Sequence, residues 1–588
     1  MQIERTALVM AIRDCRVANE FLRVAGDMIT QHKPETMPRI HRPDIPSLIV
    51  GQIQKAGKRV HVGRTLRLAL LCLCCGCTPL GEYISNGFEV GPDYKRPPAP
   101  VATHWIDAHD ERVSSDATDD SAWWTVFNDP VLNGLIQTAY EQNLTVREAG
   151  FRVLRSRARL GIAIGEFFPQ TQVMEGSYQR EGVSLGVANR FATPERWFSQ
   201  WNYGFGLAWE LDFWGRFRRA IEASESVLDA SVEHYDAAIV TLVGDVATSY
   251  VQIRTIQEQI ALAEQSLKLQ KQSLEIATAK YEGGETTEVD VYQGQSDVSS
   301  TEALIEQLQI DLRQATNQLC ILMGMPPTDL SQMLGEGPIP TAPEQVVVGI
   351  PADLIHRRPD VRRAERLTAA QSEEIGIAET NFYPQISLNG TLGWSAEDVG
   401  DALDREAFLG SIGPSFQWAI LNYGRIANNV RVQDARFQEL IANYQNTVLN
   451  AGAEVENGLV SFLRSKNQAE DAARAVRAET AAFHEAFAQY KGGLTDYNRV
   501  VVIQERLVTR QQSLADAQGA IAQGLIQVYR SLGGGWQIRL QSEAEYMMPI
   551  ETAVPAVPPA PAPVEDDVTG DDLPSLEEPG LVVIPQSE

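Results

Sequence analysis

Residues Leu160–Gln170 read LGIAIGEFFPQ, and residues Ile375–Gln385 read IGIAETNFYPQ. Six of the eleven positions are identical, at an offset of 215 residues. Similarity of this kind at a fixed spacing is typical of a chain built from repeats of one structural unit. The sequence therefore predicts that the fold consists of two copies of one structural unit.

The similarity continues on both sides of this stretch. Val146-Arg147 matches Val361-Arg362 at the same offset, and residues 281–284 (YEGG) match residues 490–493 (YKGG) at an offset of 209. The change of offset falls between the paired strands, where a loop absorbs it. We predict a first repeat over residues 121–345 and a second over 346–545, each with the order helix, two strands, very long helix, turn and helix.

The long helix of each repeat carries an unbroken seven-residue apolar register, which is typical of coiled-coil packing. Between Arg216 and Tyr281 no proline occurs and Gly244 is the one glycine. At 1.5 Å per residue such a helix is about 100 Å long. The register consists of Val232, Ile239, Val246, Ile253, Ile260, Leu267, Leu274 and Tyr281 in the first repeat, and Ile441, Val448, Val455, Phe462, Ala469, Val476, Phe483 and Tyr490 in the second.

The predicted strands alternate between apolar and small or polar residues. They cover about residues 170–184, 201–214, 384–396 and 411–422. The helical stripes alone fit a plain helical bundle equally well, but four strands offer no second sheet to cover an apolar face. In a membrane barrel that face meets lipid. Four strands cannot close a barrel, so the chain must share one with copies of itself, and three chains are the most economical number.

The amino terminus has the pattern of an export signal. Basic residues precede the short apolar run Leu68–Leu73, and residues 73–77 read LCCGC, which resembles a bacterial lipobox with Cys77 as the lipidated residue. An ordinary cleavage site or a plain membrane-adjacent cysteine is the alternative. We expect residues 1–76 to be an extension from a start codon placed too early plus the signal, residues 77–120 a lipidated linker, and residues 546–588 a disordered tail rich in proline and acid.

The composition argues against several classes of function. Lys and Arg number 50 against 77 Asp and Glu, a net charge of -27, which disfavours binding to nucleic acid. The eight His are scattered without metal-ligand spacing, and no catalytic or phosphate-binding motif is present. We therefore expect no enzyme, no metal site, and no cofactor apart from the covalent lipid.

Several short motifs occur together in this chain: VGPDYKRP at residues 90–97, Trp123-Trp124 with Phe127–Leu132, the doubled Phe-Pro-Gln and Tyr-Pro-Gln segments, RPDVR at residues 358–362 and LMG at residues 322–324. By these motifs the chain resembles, over about residues 90–535, the TolC-like outer membrane factor family, in its lipoprotein branch of tripartite efflux and nodulation-type secretion proteins. The resemblance implies a homotrimer anchored in the outer membrane and extending into the periplasm. It also implies a shared twelve-stranded β-barrel, a long α-helical barrel, and docking to a periplasmic adaptor and an inner-membrane pump.

A pair of glycines stands at the end of each long helix, where the chain must reverse direction. These turns are either functional sites or turns with a structural role only. The resemblance implies that these turns are the periplasmic tips that meet the adaptor and open. Asp290 matches an acidic position of the family's tips, whereas Arg499 stands where relatives often carry a carboxylate, so a contact between Asp290 and Arg499 is a hypothesis for the latch. The predicted tip residues are Gly283, Gly284, Thr287, Asp290, Gly492, Gly493, Leu494 and Arg499.

The leading hypothesis for function is the passive outer-membrane channel of a tripartite efflux pump. A type I-like secretion channel for protein or polysaccharide is the first alternative. The second alternative is a coiled-coil lipoprotein scaffold without a pore, but a scaffold has no use for lipid-facing aromatic residues such as Trp209 and Phe213. The arginines that follow a strand, Arg216, Arg218 and Arg219, fit either contact with lipid phosphates or a solvated helix start.

Overall fold

The structure is a computed structural model that describes residues 80–116, 120–184, 186 and 196–540. The predicted signal, Cys77 and the predicted tail over residues 546–588 lie outside the described residues.

The first repeat follows a short helix and a short strand. Its final two helices form a hairpin of 67 and 35 residues. The elements are α1 (Leu80–Ser85), β1 (Val113–Ser114), α2 (Pro130–Gln142), α3 (Leu144–Phe167), β2 (Thr171–Gly182), β3 (Trp197–Leu211), α4 (Arg216–Glu282) and α5 (Glu288–Leu322).

The second repeat has the same order, and its helical hairpin again has 67 and 35 residues. The predicted duplication of helix, two strands, long helix and helix is confirmed. The short helix α6 (Ser331–Leu334) lies between the helical hairpin of the first repeat and the start of the second. The elements of the second repeat are β4 (Val346–Val347), α7 (Leu354–Arg357), α8 (Pro359–Thr380), β5 (Gln385–Ala396), β6 (Phe408–Gln417), α9 (Arg425–Lys491) and α10 (Tyr497–Ser531). Short 3-10 helices occupy Trp123–Phe127, Pro351–Asp353, Val399–Asp401 and Arg405–Ala407.

The four long strands form one antiparallel sheet in the order β2-β3-β5-β6, so the two repeats join between β3 and β5. Two strands end earlier than the sequence predicts. β3 stops at Leu211 because the Asp212 carboxylate accepts hydrogen bonds from the backbone N–H groups of Phe217 and Arg218, which turns the chain into α4. β6 stops at Gln417, where a backbone bond from Ile420 to the Trp418 carbonyl begins a turn.

The main apolar core lies where α2, α4, α9 and α10 meet. From the predicted registers it includes Ile239, Val246 and Ile253 of α4, together with Val448, Val455 and Phe462 of α9. β1 and β4 pair in parallel beside it, with Val113 opposite Val346, and so connect the amino-terminal segment to the junction between the repeats.

In the half of α4 that leads to its turn, the buried stripe differs from the predicted register. Ile260, Leu267 and Leu274 are half-buried there, and the buried positions carry small or polar residues. These positions are Gln259, Ala263, Ser266, Gln270, Ser273 and Ala277. Small residues allow close helix approach, and the polar ones bond across the interface: the Gln259 amide donates to Asp516 at 2.7 Å and the Ser266 hydroxyl to Gln511 at 3.2 Å.

Among the described residues, no helix combines the length and apolar character that crossing a membrane requires. Nor does the described part of the chain contain a group of three or more His, Cys, Asp and Glu that could hold a metal ion.

Candidate channel-forming site

Residues that face each other in the antiparallel sheet point to the same side, so the register assigns every side chain to a face. Phe205 lies opposite both Met174 and Leu392, and Trp209 lies opposite Leu388. The apolar rows of all four strands therefore share one face. Its apolar members are Met174, Tyr178, Trp201, Tyr203, Phe205, Leu207, Trp209, Leu211, Ile386, Leu388, Leu392, Trp394, Phe408, Ile412, Pro414 and Phe416.

The opposite face is mostly small and polar, and Val173, Phe198 and Leu409 are the large apolar residues on it in the described strands. Thr391 lies opposite Gly206 and Ser411, and the Thr391 and Ser411 hydroxyls are 2.7 Å apart. Other members are Glu175, Ser177, Gln179, Asn202, Ser387, Asn389, Ser395, Gly413, Ser415 and Gln417. A sheet with one apolar face and one hydrated face is suited to separate lipid from water.

The apolar face and both edges of the sheet are uncovered. Ile412 and Phe416 are each 75 % exposed, and Met174 is 72 % exposed. Within the described residues β2 pairs with β3 alone and β6 with β5 alone, so each outer strand has one edge without a strand partner. Free edges and an uncovered apolar face are features of a surface that another chain and lipid complete.

The two helix turns have nearly identical backbone geometry. In the first, the N–H of Gly284 donates to the Tyr281 carbonyl at 2.9 Å and that of Glu285 to the Lys280 carbonyl at 2.8 Å. In the second, Gly493 donates to Tyr490 at 3.1 Å and Leu494 to Gln489 at 2.9 Å. Gly284 and Gly493 have φ values of +76° and +75°, the left-handed conformation that glycine adopts without strain.

Aromatic residues pack the two turns together. The Tyr490 and Tyr497 rings are 5.1 Å apart, and the Lys280 ammonium lies 5.1 Å from the centre of the Tyr490 ring while pairing with Glu285 at 3.3 Å. Burial raises the pKa of Tyr490 to about 12, so its hydroxyl is neutral. A separate apolar cluster with Phe483, Val500 and Leu507 surrounds these rings.

Residues 135–325 and 350–534 match the sequence pattern of the outer membrane efflux protein family. The chain belongs to that family. The expected resemblance is therefore confirmed over both repeats.

Curated relatives of this outer membrane efflux protein include nodulation protein T of Rhizobium leguminosarum bv. trifolii, 28 % identical over 441 residues, which cover 75 % of this chain and 93 % of the relative. The probable efflux pump outer membrane protein TtgC of Pseudomonas putida is 29 % identical over 460 residues, with coverage of 77 % and 94 %. Among solved structures, the outer-membrane channel OprN superposes with a TM-score of 0.71 at 29 % identity, over 76 % of this chain and 99 % of that channel.

The predicted tip residues of the efflux protein lie together at the two turns, but one proposed contact is missing. Thr287 precedes α5, and the Asp290 carboxylate accepts a hydrogen bond from the Thr286 hydroxyl. Leu494 is 81 % exposed. Arg499 is exposed, and its backbone N–H donates to Asp496 at 2.9 Å. Within the described chain no ion pair joins Asp290 to Arg499, so that latch does not form inside one copy.

Sequence reasoning missed the role of Arg219. This side chain is buried, and its guanidinium donates to the carbonyls of Val90 at 2.7 Å, Gly91 at 3.2 Å and Pro92 at 3.3 Å and to the Glu373 carboxylate. Arg219 therefore neither meets lipid nor is solvated. It fastens the amino-terminal segment to the junction between sheet and helices, and we call this contact set the Arg219 clasp.

The neighbouring arginines are also bound internally. Arg216 contacts Glu210 at 3.2 Å, and Arg218 contacts Asp212 at 3.0 Å and the Gly87 carbonyl at 2.7 Å. Contact with lipid phosphates, one of the two alternatives for these arginines, would therefore compete with partners already present in the chain.

We expect Gly493→Ala to destabilise the second turn by about 1–2 kcal/mol, because an L residue is strained at this positive φ. No atom lies within 4 Å of the added Cβ, so a steric clash does not contribute. Gly492→Ala is the matched control, since Gly492 has a φ of -79° and contacts no closer than 3.6 Å for a Cβ. Hydrogen exchange of peptides covering residues 485–500 should accelerate in the first variant alone. Equal exchange in both variants would contradict the assigned turn geometry.

Proposed function

We propose that this protein is the outer-membrane channel of a tripartite efflux pump, which passively conducts solutes from the periplasmic pump assembly to the exterior. The observation that carries the proposal is the four-stranded sheet with one apolar face, one polar face and two free edges. A pore-free scaffold does not require this combination. Conduction through a water-filled lumen also needs no catalytic group.

Three copies would complete the channel. Four strands leave edges that cannot persist in lipid, whereas three copies make a closed barrel of twelve strands. Exposed apolar side chains on both repeats support side-by-side packing of copies: Phe151 and Leu154 on α3 are 59 % and 58 % exposed, and Val432 on α9 is 61 % exposed. The long helices of the copies would then form the α-helical barrel.

The lumen would favour cations. Glu175 and Glu181 of β2 point to the polar face, and the paired residues of that face in the described strands include no Lys or Arg. Glu210 lies on the same face but is paired with Arg216. Carboxylates along a water-filled pore attract cations and repel anions.

The helix turns would be the periplasmic end of the channel. The exposed Leu494 and the two glycine turns offer a surface to a periplasmic adaptor, and the relatives named as efflux pump outer membrane proteins support such partners. Lipid on Cys77 would anchor the amino-terminal segment in the outer membrane, and the Arg219 clasp would transmit that tether to the base of the sheet.

Purification in detergent and reconstitution into planar bilayers test the proposal. We expect a heat-modifiable trimer that gives single-channel currents with cation selectivity, measured as a reversal potential in a salt gradient. Glu175→Gln should reduce the selectivity while leaving trimer assembly unchanged. A monomer without currents would contradict the channel and favour the scaffold.

We expect Arg499→Ala to raise the conductance if Arg499 of one copy pairs with Asp290 of a neighbouring copy in the closed tips. The loss of that charge pair removes a contact specific to the closed state. Arg510→Ala is the control, because Arg510 is an exposed arginine on the same helix, three turns farther from the tip. An unchanged single-channel conductance of the Arg499 variant would exclude the latch.

A further inference from the structure

A buried carboxylate without a partner lies close to the helix turns. Gly294 of α5 stands where α4 and α10 converge: a Cβ there would lie 2.9 Å from Leu274 Cδ1 and 2.7 Å from the Tyr497 hydroxyl. Asp297 is one turn farther along α5 and is 5 % exposed. No donor or cation of the described chain hydrogen-bonds or pairs with its carboxylate. Burial of an unpaired charge is unfavourable, so this position requires an explanation.

The groups at the same level of the bundle include acceptors without donors. Gln504 of α10 donates through Nε2 to the Ser273 hydroxyl at 3.4 Å, but its Oε1 is buried with no hydrogen-bond partner in the described structure. One turn away on α4, both side-chain amide atoms of Gln270 are equally without partners. This part of the bundle therefore contains two buried amide oxygens without a donor and one amide nitrogen, Gln270 Nε2, without an acceptor.

The charges that face Asp297 disfavour its ionised form. Glu505 of α10 is the nearby charged group and is also acidic, and burial together with Glu505 raises the pKa of Asp297 to about 6. The Tyr497 hydroxyl on the same helix has a raised pKa because it is buried and faces Asp297. Lys271 of α4 is engaged by Glu302 of α5 at 2.8 Å.

We propose that Asp297 is a proton-binding site that holds the helix turns packed when protonated and loosens them when ionised. The protonated carboxyl carries no charge, so it can stay buried without a cation partner. The ionised carboxylate has no donor and repels Glu505, so separation of α5 from α10 and entry of water stabilise it. The proton comes from the solvent and returns to it.

The direction of the pH effect follows from the pKa of Asp297 in the packed and the loosened turns. In the packed state the pKa of Asp297 is about 6, and when hydrated it returns toward its ordinary 3.8. The packed state therefore binds the proton more tightly. Acidification from neutral pH through about 6 favours the packed turns, and the cost of the buried charge is fully present above that pH.

The test compares the full chain with Asp297→Asn, which replaces the carboxylate with a neutral side chain of the same size. We expect the variant to have a Tm higher by roughly 2–4 °C at pH 7.5, and the difference to shrink as the pH falls toward 5. The control is Glu306→Gln, an exposed carboxylate on the same helix, which should change the Tm little at either pH. A difference that is independent of pH, or a lower Tm at pH 7.5, would overturn the proton site.

Two further measurements test the proton-binding site. Glu505→Gln removes the facing carboxylate and should shift the pH dependence of the wild-type Tm to lower pH; an unchanged dependence contradicts the proposal even if the Asp297 variant does not fold. In planar bilayers, the fraction of channels that are open should decrease when the pH is lowered from 7.5 to 5.5 in the wild type, and it should be low at both pH values in Asp297→Asn. This last measurement rests on the proposed channel function. A chain that never conducts would refute that function, while the Tm series still decides the proton site.

Discussion

Replacement of Arg219 by alanine is expected to lower the free energy of unfolding by about 3–5 kcal/mol, because it leaves the buried carboxylate of Glu373 without its cation. Glu373 would lose the guanidinium, the Val90 carbonyl would lose the Arg219 donor, and the Gly91 carbonyl would lose one of its donors and keep Asn86 at 3.3 Å. The added cavity cannot collapse easily, since Gly91 and Gly376 already press backbone against backbone beside this side chain. Chemical unfolding of the purified protein in detergent measures the loss.

Arg216→Ala is the matched control for the Arg219 clasp. Arg216 lies three residues earlier on the same helix, and its side chain is 39 % exposed while paired with Glu210, so its removal should cost about 1 kcal/mol or less. We also expect faster proteolysis of residues 86–96 in Arg219→Ala alone, because the amino-terminal segment is released. Equal stabilities of the two variants would show that the clasp does not hold that segment.

Leu392→Arg is expected to abolish insertion into the outer membrane, whereas the neighbouring Thr391→Arg should insert. Leu392 belongs to the apolar face, opposite Phe205, and Thr391 belongs to the polar face, opposite Gly206. An arginine on the lipid face costs about 2–4 kcal/mol per chain near the middle of the membrane, and every copy in the barrel bears that cost. Membrane fractionation of cells that express each variant, followed by a heat-modifiability assay, gives the yield of assembled protein.

Thr391→Arg also has a measurable effect of its own. A cation on the polar face should lower the cation selectivity of reconstituted channels, since it opposes Glu175 and Glu181. Normal insertion of both variants would contradict the assignment of the faces. If neither variant inserts, the cause is a folding defect of strand β5 and not the loss of a contact with lipid.

The duplicated architecture can be predicted from the sequence because its signals are local and periodic. The heptad positions Ile239, Val246 and Ile253 are buried as expected, and the alternation in β3 and β5 places both apolar rows on one face. The ends of the strands are harder to predict, because the Asp212 carboxylate bonds backbone groups five and six residues away and so overrides the alternation that continues to Phe213.

Contacts between distant parts of the chain could not be predicted. Arg219 binds carbonyls about 130 residues earlier and a carboxylate 154 residues later, and one sequence contains no signal for such pairing. The cluster around Asp297 escaped prediction for the same reason, since its members come from α4, α5 and α10. The heptad pattern even pointed away from it, because the pattern places the buried stripe at Leu267 and Leu274, whereas Gln270 and Ser273 occupy the buried positions.

The equal lengths of the paired hairpins restrict how this protein can change in evolution. α4 and α9 each have 67 residues, and α5 and α10 each have 35. One extra heptad in α4 alone would shift its turn by about 10 Å relative to the turn of the second repeat. Insertions and deletions should therefore be tolerated only as matched sets in all four helices, and a relative with a longer reach would have lengthened every one of them together.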